Sequence, residues 1–426
     1  MYKLLPYQAS NYSRIEKSRH HLIGDEMGLG KTLVALHTHK VNNAKTSLTV
    51  CPASLIQNWK NEAQKFLGVE LNEITGKNGF RKERFNVCSY ERFRKINLKT
   101  KLDCLFLDEF HYIKNNDSKR TQALTDYFTM YEPEFFVGLS GTPIKNHAGE
   151  FFAPLNLIGR GSNYDFYFQE NSFMFHKAFC YASVQKFNAR GSGKSRSFTK
   201  FSGLKNAKAL KNLIAPVFSR TTLEKAKIHL PKTTKQDHII SDRCEYDDRF
   251  NKMMMKFKED NPSYETEGGV WIERNPEYMT LKRFNAACKV DGTIELAKGL
   301  KRQCVIFSDH VESCEMIAKG LNGFAMTGKV SDRSRRDIVD KFKKGDFQFL
   351  VGNYKVLGEG HNLTNANNMI FNDLPFTPSD LLQAEKRIDR IGQKLPCFYW
   401  YVYQSPMDKK LSDLLSPKIA ALKAID

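Results

Sequence analysis

The chain has 426 residues, of which 41% are hydrophobic and 27% charged, and a formal net charge of +19. That length predicts two to three domains with enough apolar residues for real cores. It contains no run near the roughly 20 apolar residues of a membrane span, no signal peptide in residues 1–8, and nine cysteines without a C-x-x-C pair. These features exclude zinc-finger and disulfide scaffolds and predict buried thiols, Cys51, Cys104 and Cys304 among them, in a soluble intracellular protein.

In chain order, Leu22-Ile23 reads as a strand end, and Leu33, Val34 and Leu36 as the start of a helix. Between them lies Gly24-Asp25-Glu26-Met27-Gly28-Leu29-Gly30-Lys31-Thr32. Its glycines let backbone N–H groups turn inward around an anion. Lys31 offers a point charge for phosphate oxygens, Thr32 offers a hydroxyl for Mg²⁺, and the helix N-terminus adds its positive end. The strict phosphate-loop pattern wants glycine where Asp25 stands, so the segment alone also fits an ordinary glycine-rich turn.

Buried parallel strands are predicted at Ser47–Cys51, Leu102–Asp108 and Phe135–Ser140, with a helix over Ile56–Phe66. The second of these strands delivers Asp108-Glu109 at its C-terminal end, where a parallel sheet presents its chemistry. Asp108 suits Mg²⁺ held through water, and Glu109 suits orienting or deprotonating an attacking water; a solvated acidic turn is the alternative. Taken together, the loop and the acid pair specify a nucleoside triphosphatase. In Ser140-Gly141-Thr142-Pro143, small hydroxyl residues at a strand end form either a relay or a tight turn.

From about 150 to 280 the alternation breaks. The region is aromatic and basic, with a Gly/Ser-rich turn at 190–195 and a Pro/Gly-rich loop at 261–275. It reads as a mainly helical insertion and linker. Lys186 to Lys235 holds 13 Lys and Arg against one acid, Glu224. Leu204, Leu210, Leu213, Ile214 and Val217 are interleaved, which argues against a simple basic tail. A phosphate track for nucleic acid is the preferred reading and a solvated basic surface the other.

Alternation then resumes. Strands are predicted at Cys304–Ser308, Phe347–Gly352, Met369–Asp373 and Phe398–Tyr403, with a helix over Ser331–Phe342 capped by Ser331 or Asp332. This second α/β lobe has no phosphate loop. Arg387 and Arg390 are three apart and on a helix would share a face, a fork suited to a γ-phosphate; pairing with Glu385 and Asp389 on an exposed helix is the alternative. The expected domains are a first lobe at 1–155, a helical basic insertion at 156–280 and a second lobe at 281–426. The expected fold class is α/β, with two doubly wound parallel-sheet lobes.

The succession of these motifs resembles the Swi/Snf-type ATPases of helicase superfamily 2 over nearly the whole chain. Leu5-Pro6-Tyr7-Gln8 resembles the adenine-reading glutamine motif, and Asp25 to Thr32 is that family's wording of the phosphate loop. Val50 to Trp59 resembles a DNA-contacting motif, Leu139 to Pro143 the coupling motif, Phe218 to Lys232 the entry to the second lobe, and Gln383 to Gln393 the arginine motif. The resemblance implies two RecA-like lobes using ATP and Mg²⁺. It implies catalytic roles for Lys31, Asp108, Glu109, Arg387 and Arg390. Nucleotide contacts would come from Gln8, Asp25, Met27, Gly28, Leu29, Gly30, Lys31, Thr32 and Gly360, metal contacts from Thr32 and Asp108, and coupling from His111, Ser140, Thr142 and Gln383.

The implied activity is that of a monomeric DNA-dependent ATPase translocating on double-stranded DNA, away from membranes, with RNA as the other polymer and an unidentified protein as recruiter. A strand-separating helicase and a non-hydrolysing DNA-binding module are the alternative functions. Departures from the family pattern are Phe110 in place of a small residue, Asn353-Tyr354 in place of Ser-Thr, and Leu357 in place of glycine. The length leaves no room for histone-reading or zinc modules. The expectation is therefore a compact motor of bacterial or virus-infected host cytoplasm, with the nucleus as the alternative.

Overall fold

The computed structural model describes the whole chain except residues 1, 145–146, 161–163, 170, 189–194, 241–246, 266–274, 359–360 and 424–426. The chain divides into two compact units, Met1–Ile228 with Ala420–Asp426, and His229–Ile419. Each is built on its own parallel sheet.

The first unit contains β1 (His20–Ile23), β2 (Ser47–Cys51), β3 (Asn72–Glu73), β4 (Phe85–Ser89), β5 (Cys104–Asp108), β6 (Phe135–Leu139), β7 (Tyr181–Asn188), β8 (Ser195–Ser202) and β9 (Phe218–Ser219). Seven of them form one sheet in the order β3-β4-β2-β5-β6-β1-β9, and every pairing in it is parallel. Cores lie on both faces. Leu105 and Leu107 of β5 enter one cluster with Phe110, Phe136 and Leu155. Cys104 and Phe106 enter the other with Val34, Trp59 and Val137. Burial on both faces is why these strands read as continuous apolar runs rather than alternating ones.

The second unit contains β10 (Thr233–Ile239), β11 (Cys304–Phe307), β12 (Phe324–Met326), β13 (Phe349–Gly352), β14 (Asn368–Phe371) and β15 (Cys397–Tyr403). They form one sheet in the order β10-β15-β14-β11-β13-β12, again wholly parallel. Val305 and Phe307 of β11 face one core and Cys304 and Ile306 the other. The predicted helix here runs Asp332–Lys344, and Ser331 caps it by accepting the Ser334 N–H.

The strands that sequence reading missed are polar or short. The second residue of β4 is Asn86, fully buried with its amide donating to the carbonyls of Ser47, Arg81 and Arg84. Strand β10 is a polar edge paired only with β15. The region 156–280 does hold helices, at Ser172–Phe179, Ala207–Ile214, Asp247–Asp260 and Pro276–Cys288. It also holds an antiparallel hairpin, β7 with β8, which the sequence analysis did not anticipate. The turn read at 190–195 and the loop read at 261–275 fall largely outside the described residues. Among the described residues, no helix is long and apolar enough to cross a membrane.

Eight cysteines are described, all buried free thiols. Burial pushes Cys88 and Cys104 up to about 12. So little thiolate remains near neutral pH that alkylation should require unfolding. A short iodoacetamide pulse at pH 8, read by mass spectrometry, is expected to label these two positions at least roughly tenfold more slowly in native than in unfolded protein. Equal rates would show that the central strands are not packed as described.

Candidate functional site

The predicted phosphate loop joins β1 to helix α2 (Lys31–Val41). Gly28 and Gly30 have φ of 86° and 75°, the left-handed region that glycine enters without a Cβ penalty. A Cβ on Gly30 would also stand 2.6 Å from Gln8 Nε2. Gln8 lies on helix α1 (Pro6–Ser18). Its Oε1 accepts the Leu5 N–H at 2.9 Å and its Nε2 donates to the Leu29 carbonyl at 3.0 Å. Tyr7 donates to the same carbonyl at 3.0 Å. The glutamine is thus bonded to the loop itself, and its carboxamide keeps a second N–H and a second lone pair for a base edge.

Asp25 is fully buried and its carboxylate is turned onto protein donors. It accepts from Asn11 Nδ2 at 2.6 Å and from the Thr221 N–H at 2.8 Å. Burial pushes its carboxyl up against those bonds and against Lys31. Glu26 accepts the Leu223 N–H at 2.9 Å, and Arg220 donates to the Gly24 carbonyl. Strand β9 pairs with β1 immediately before these contacts. The stretch from Phe218 to Leu223, some 195 residues downstream, therefore braces the start of the loop. Sequence reading assigned Asp25 to the nucleotide; its side chain fixes the loop to α1 and to this stretch. The available signal was the acid pair Asp25-Glu26, because two acids in a loop meant for an anion need donors of their own.

Lys31 is the first residue of α2. Its ammonium donates to the carbonyls of Asp25 at 2.7 Å and Glu26 at 3.2 Å. Burial lowers its pKa, while Glu109, Asp25 and Asp108 oppose that shift. Thr32 follows it, half-buried, with Met27 and Gly28, and Leu29 is buried. A lysine on two loop carbonyls, left-handed glycines and a helix N-terminus form a cradle that fits a polyphosphate.

The acids sit at the end of β5. Asp108 Oδ2 accepts the Trp59 indole N–H at 2.8 Å, and its Oδ1 accepts the Glu109 N–H at 3.0 Å. Trp59 belongs to helix α3 (Ile56–Leu67), and sequence reading gave it no part in the acid site. Burial and the charge of Glu109 raise the Asp108 pKa. Glu109 has φ 54° and ψ 56°, a left-handed conformation that costs a non-glycine residue on the order of 1 kcal/mol. Its Oε2 accepts from Ser140 Oγ at 2.9 Å and lies 3.1 Å from His111 Nδ1. His111 Nδ1 is also 3.1 Å from Ser140 Oγ, which accepts the Thr142 N–H at 3.1 Å. Burial works against ionisation of Glu109, but His111, Lys31 and Ser140 outweigh it and hold the carboxyl low. Of the four expected coupling residues, His111 and Ser140 thus meet at Glu109, and the Thr142 backbone N–H joins them through Ser140 Oγ. Phe110, the large residue in a small residue's place, is fully buried; Gly138 on β6 makes the room, since a Cβ there would be 3.2 Å from its ring.

Among the described residues no group of three or more His, Cys, Asp or Glu could hold a metal. The single carboxylate Asp108 and the Thr32 hydroxyl suit Mg²⁺, which keeps most of its waters and takes phosphate oxygens as ligands.

In the second unit the helix carrying Gln383 ends at Glu385. Arg387 and Arg390 lie in the turns after it, so they do not share a helix face as the spacing had predicted. The helix stops where Arg387 Nε bonds back to the Gln383 carbonyl at 3.0 Å and Nη1 to the His361 carbonyl at 3.3 Å. Glu385 pairs with Lys235 at 2.7 Å and Asp389 with Lys386 at 2.8 Å. Gln383 and Arg387 are buried and Arg390 half-buried. Gly360 lies outside the described residues. Of the other departures, Asn353 caps a short helix, and Tyr354 and Leu357 are buried in the core. In the basic stretch, helix Ala207–Ile214 buries Leu210 and Ile214 and exposes Lys208 and Lys211.

The SNF2-related domain family matches residues 9–261, and the helicase conserved C-terminal domain matches residues 288–392. The chain is 24% identical, over 99% of its length, to a SWI/SNF-related matrix-associated actin-dependent regulator of chromatin subfamily A-like protein 1 homolog from Caenorhabditis elegans, of which it covers 61%. It is 24% identical, over 92% of its length, to the human DNA annealing helicase and endonuclease ZRANB3, of which it covers 37%. A solved structure, the Sulfolobus solfataricus SWI2/SNF2 ATPase core in complex with dsDNA, matches at 21% identity and a TM-score of 0.42, covering 100% of this chain and 93% of that one. The chain thus spans less than two thirds of the curated relatives' length. The two family matches run in the order of the two parallel-sheet units, and the first takes in more than half of the sequence: the chain belongs to the SNF2-related family.

Proposed function

We propose that the protein is an ATP-driven motor that hydrolyses ATP with Mg²⁺ and translocates on double-stranded DNA. The observation that carries this reading is the closed group Glu109–His111–Ser140–Thr142 beside Lys31 and Asp108. Lys31 leaves its two carbonyls for the terminal phosphates. Glu109 stays ionised, orients the attacking water and accepts its proton. Asp108 and Thr32 would hold Mg²⁺, which when bound would supply positive charge to the phosphoryl oxygens. Ser140 and His111 tie the state of Glu109 to Thr142 and so to the end of β6. Arg387 and Arg390 contribute to hydrolysis as the resemblance implies. Family membership supports hydrolysis. The basic stretch, and relatives named a DNA annealing helicase and a DNA repair and recombination protein, support DNA as the polymer.

The deciding experiment is ATPase rate without nucleic acid and with single-stranded DNA, duplex DNA, branched DNA or RNA. Stimulation strongest with duplex, together with triplex displacement and no fork unwinding, is expected. Equal rates in all five conditions would refute the reading.

Glu109→Gln should keep ATP and Mg²⁺ binding but lower turnover by roughly 10²-fold or more; near-normal single-turnover rates would remove Glu109 from its role. Arg390→Ala should lower DNA-stimulated turnover by about 10³-fold with ATP and DNA binding retained. Arg390→Lys should rescue little, because a point charge does not reproduce a planar fork.

Lys208 and Lys211 are exposed residues of the proposed phosphate track that share one helix, Ala207–Ile214. Replacing both by alanine should weaken binding to all duplex sequences alike and reduce the slope of log affinity against log salt by about 2. A slope unchanged from wild type would show that this helix does not meet phosphates.

A further inference from the structure

A buried tryptophan usually places its indole N–H on an acceptor, because the group can only donate. In most cores a backbone carbonyl serves. Trp59 is different. It is fully buried, its ring lies 6.3 Å from that of Phe106 at 21°, and its N–H goes to Asp108 Oδ2. The other oxygen of that carboxylate is held by the Glu109 N–H. Both oxygens are therefore fixed, each with a lone pair left over. Without the indole, rotation about the Asp108 Cβ–Cγ bond would be restrained at one oxygen only.

The same helix carries a second feature. Trp59 is the fourth residue of α3. Ahead of it come Pro52, a turn at Ala53–Leu55 and the first residues of the helix. Ala53, Ser54, Gln57 and Asn58 are exposed there, in the stretch whose sequence resembles a DNA-contacting motif. Asn58 and Trp59 are neighbours in one helix, with a rise of about 1.5 Å per residue. A displacement of this helix end would carry Trp59 with it. The hydrogen bond at 2.8 Å is lost if the donor moves back by less than 1 Å.

We propose that Trp59 is a positioning residue that links nucleic-acid contact at the start of α3 to the Asp108 carboxylate, so that the DNA backbone sets the geometry of the Mg²⁺ site. This rests on the reading of the protein as a DNA-stimulated ATPase. It adds the route by which stimulation reaches the acid.

The test uses the full chain. Trp59→Phe keeps an aromatic ring against Phe106 and removes the N–H. Phe106→Leu loosens the same core and keeps the N–H. Mg²⁺-dependent ADP binding is followed by calorimetry, and ATPase is measured with and without duplex DNA. Trp59→Phe should raise the Mg²⁺ concentration for half-saturation about tenfold, the scale for removing a group that orients a metal ligand. It should also lower the ratio of DNA-stimulated to basal rate about tenfold, with duplex affinity unchanged. Phe106→Leu should lower thermal stability and move neither quantity. In wild-type protein, the Trp59 indole N–H resonance, one of three in the chain, should shift when Mg²⁺ and ADP are added and again with duplex. That measurement stands even where Trp59→Phe fails to fold.

Half-saturation within twofold of wild type, an equal shift in Phe106→Leu, or an indole resonance indifferent to both ligands would overturn the proposal. A shifted half-saturation with an unchanged stimulation ratio would overturn the link to DNA. If wild-type ATPase ignores DNA altogether, the proposed function itself fails, and the Mg²⁺ titration still decides whether Trp59 orients Asp108.

Discussion

Two adjacent carboxylates at the end of a buried strand are the constraint on which the first unit is organised. Like charges about 5 Å apart repel by roughly 3 kcal/mol at an effective dielectric near 20. Burial adds a desolvation cost to each. The chain resolves this by giving the two acids different surroundings. Asp108 receives one indole N–H and one backbone N–H. Glu109 receives Ser140 and His111 and the field of Lys31. The result is one acid held ionised and a neighbour pushed toward its neutral form, a pair that a divalent cation would drive fully ionised. The left-handed backbone at Glu109 belongs to the same solution, because it turns the second side chain off the strand toward β6.

The phosphate loop poses the opposite problem. Asp25 and Glu26 bring negative charge to a loop shaped for an anion. Their carboxylates are hydrogen-bonded by donors from outside the loop: Asn11 on α1 and the backbone N–H groups of Thr221 and Leu223. What faces the cradle is then Lys31, the glycine N–H groups and the helix end. The seventh strand, β9, matters for this reason, since pairing with β1 brings Thr221 and Leu223 to the loop.

In the second unit the same edge of the sheet is filled by the chain itself. Lys282 is buried between Asp309 at 2.8 Å and Asp373 at 3.2 Å, with Ser308 also bonded to Asp373. Such a network is weak evidence for stability. Two of the residues that depart from the family pattern, Tyr354 and Leu357, pack into the core here. Tyr354 donates to the Asp373 carbonyl at 2.7 Å and stacks on Phe307 and Phe371, and Leu357 closes the space beside Gly352. Their side chains are core, not contact surface.

Sequence alone determined the parts that depend on local chemistry. The apolar runs at Ser47–Cys51, Leu102–Asp108 and Phe135–Ser140 had to be strands buried on both faces. The order of loop, acid pair and arginine segment identified the family, because each is a contiguous run whose residue types perform one job. Tertiary structure decided everything that depends on partners distant along the chain. Trp59 reaches Asp108 across 49 residues and Thr221 reaches Asp25 across 196. A hydrogen bond formed by folding leaves no spacing rule in the sequence. The same reason undid the helical fork of Arg387 and Arg390: a periodicity of three says what a helix would do, but the bonds of Arg387 to the Gln383 and His361 carbonyls decided that the helix ends before it.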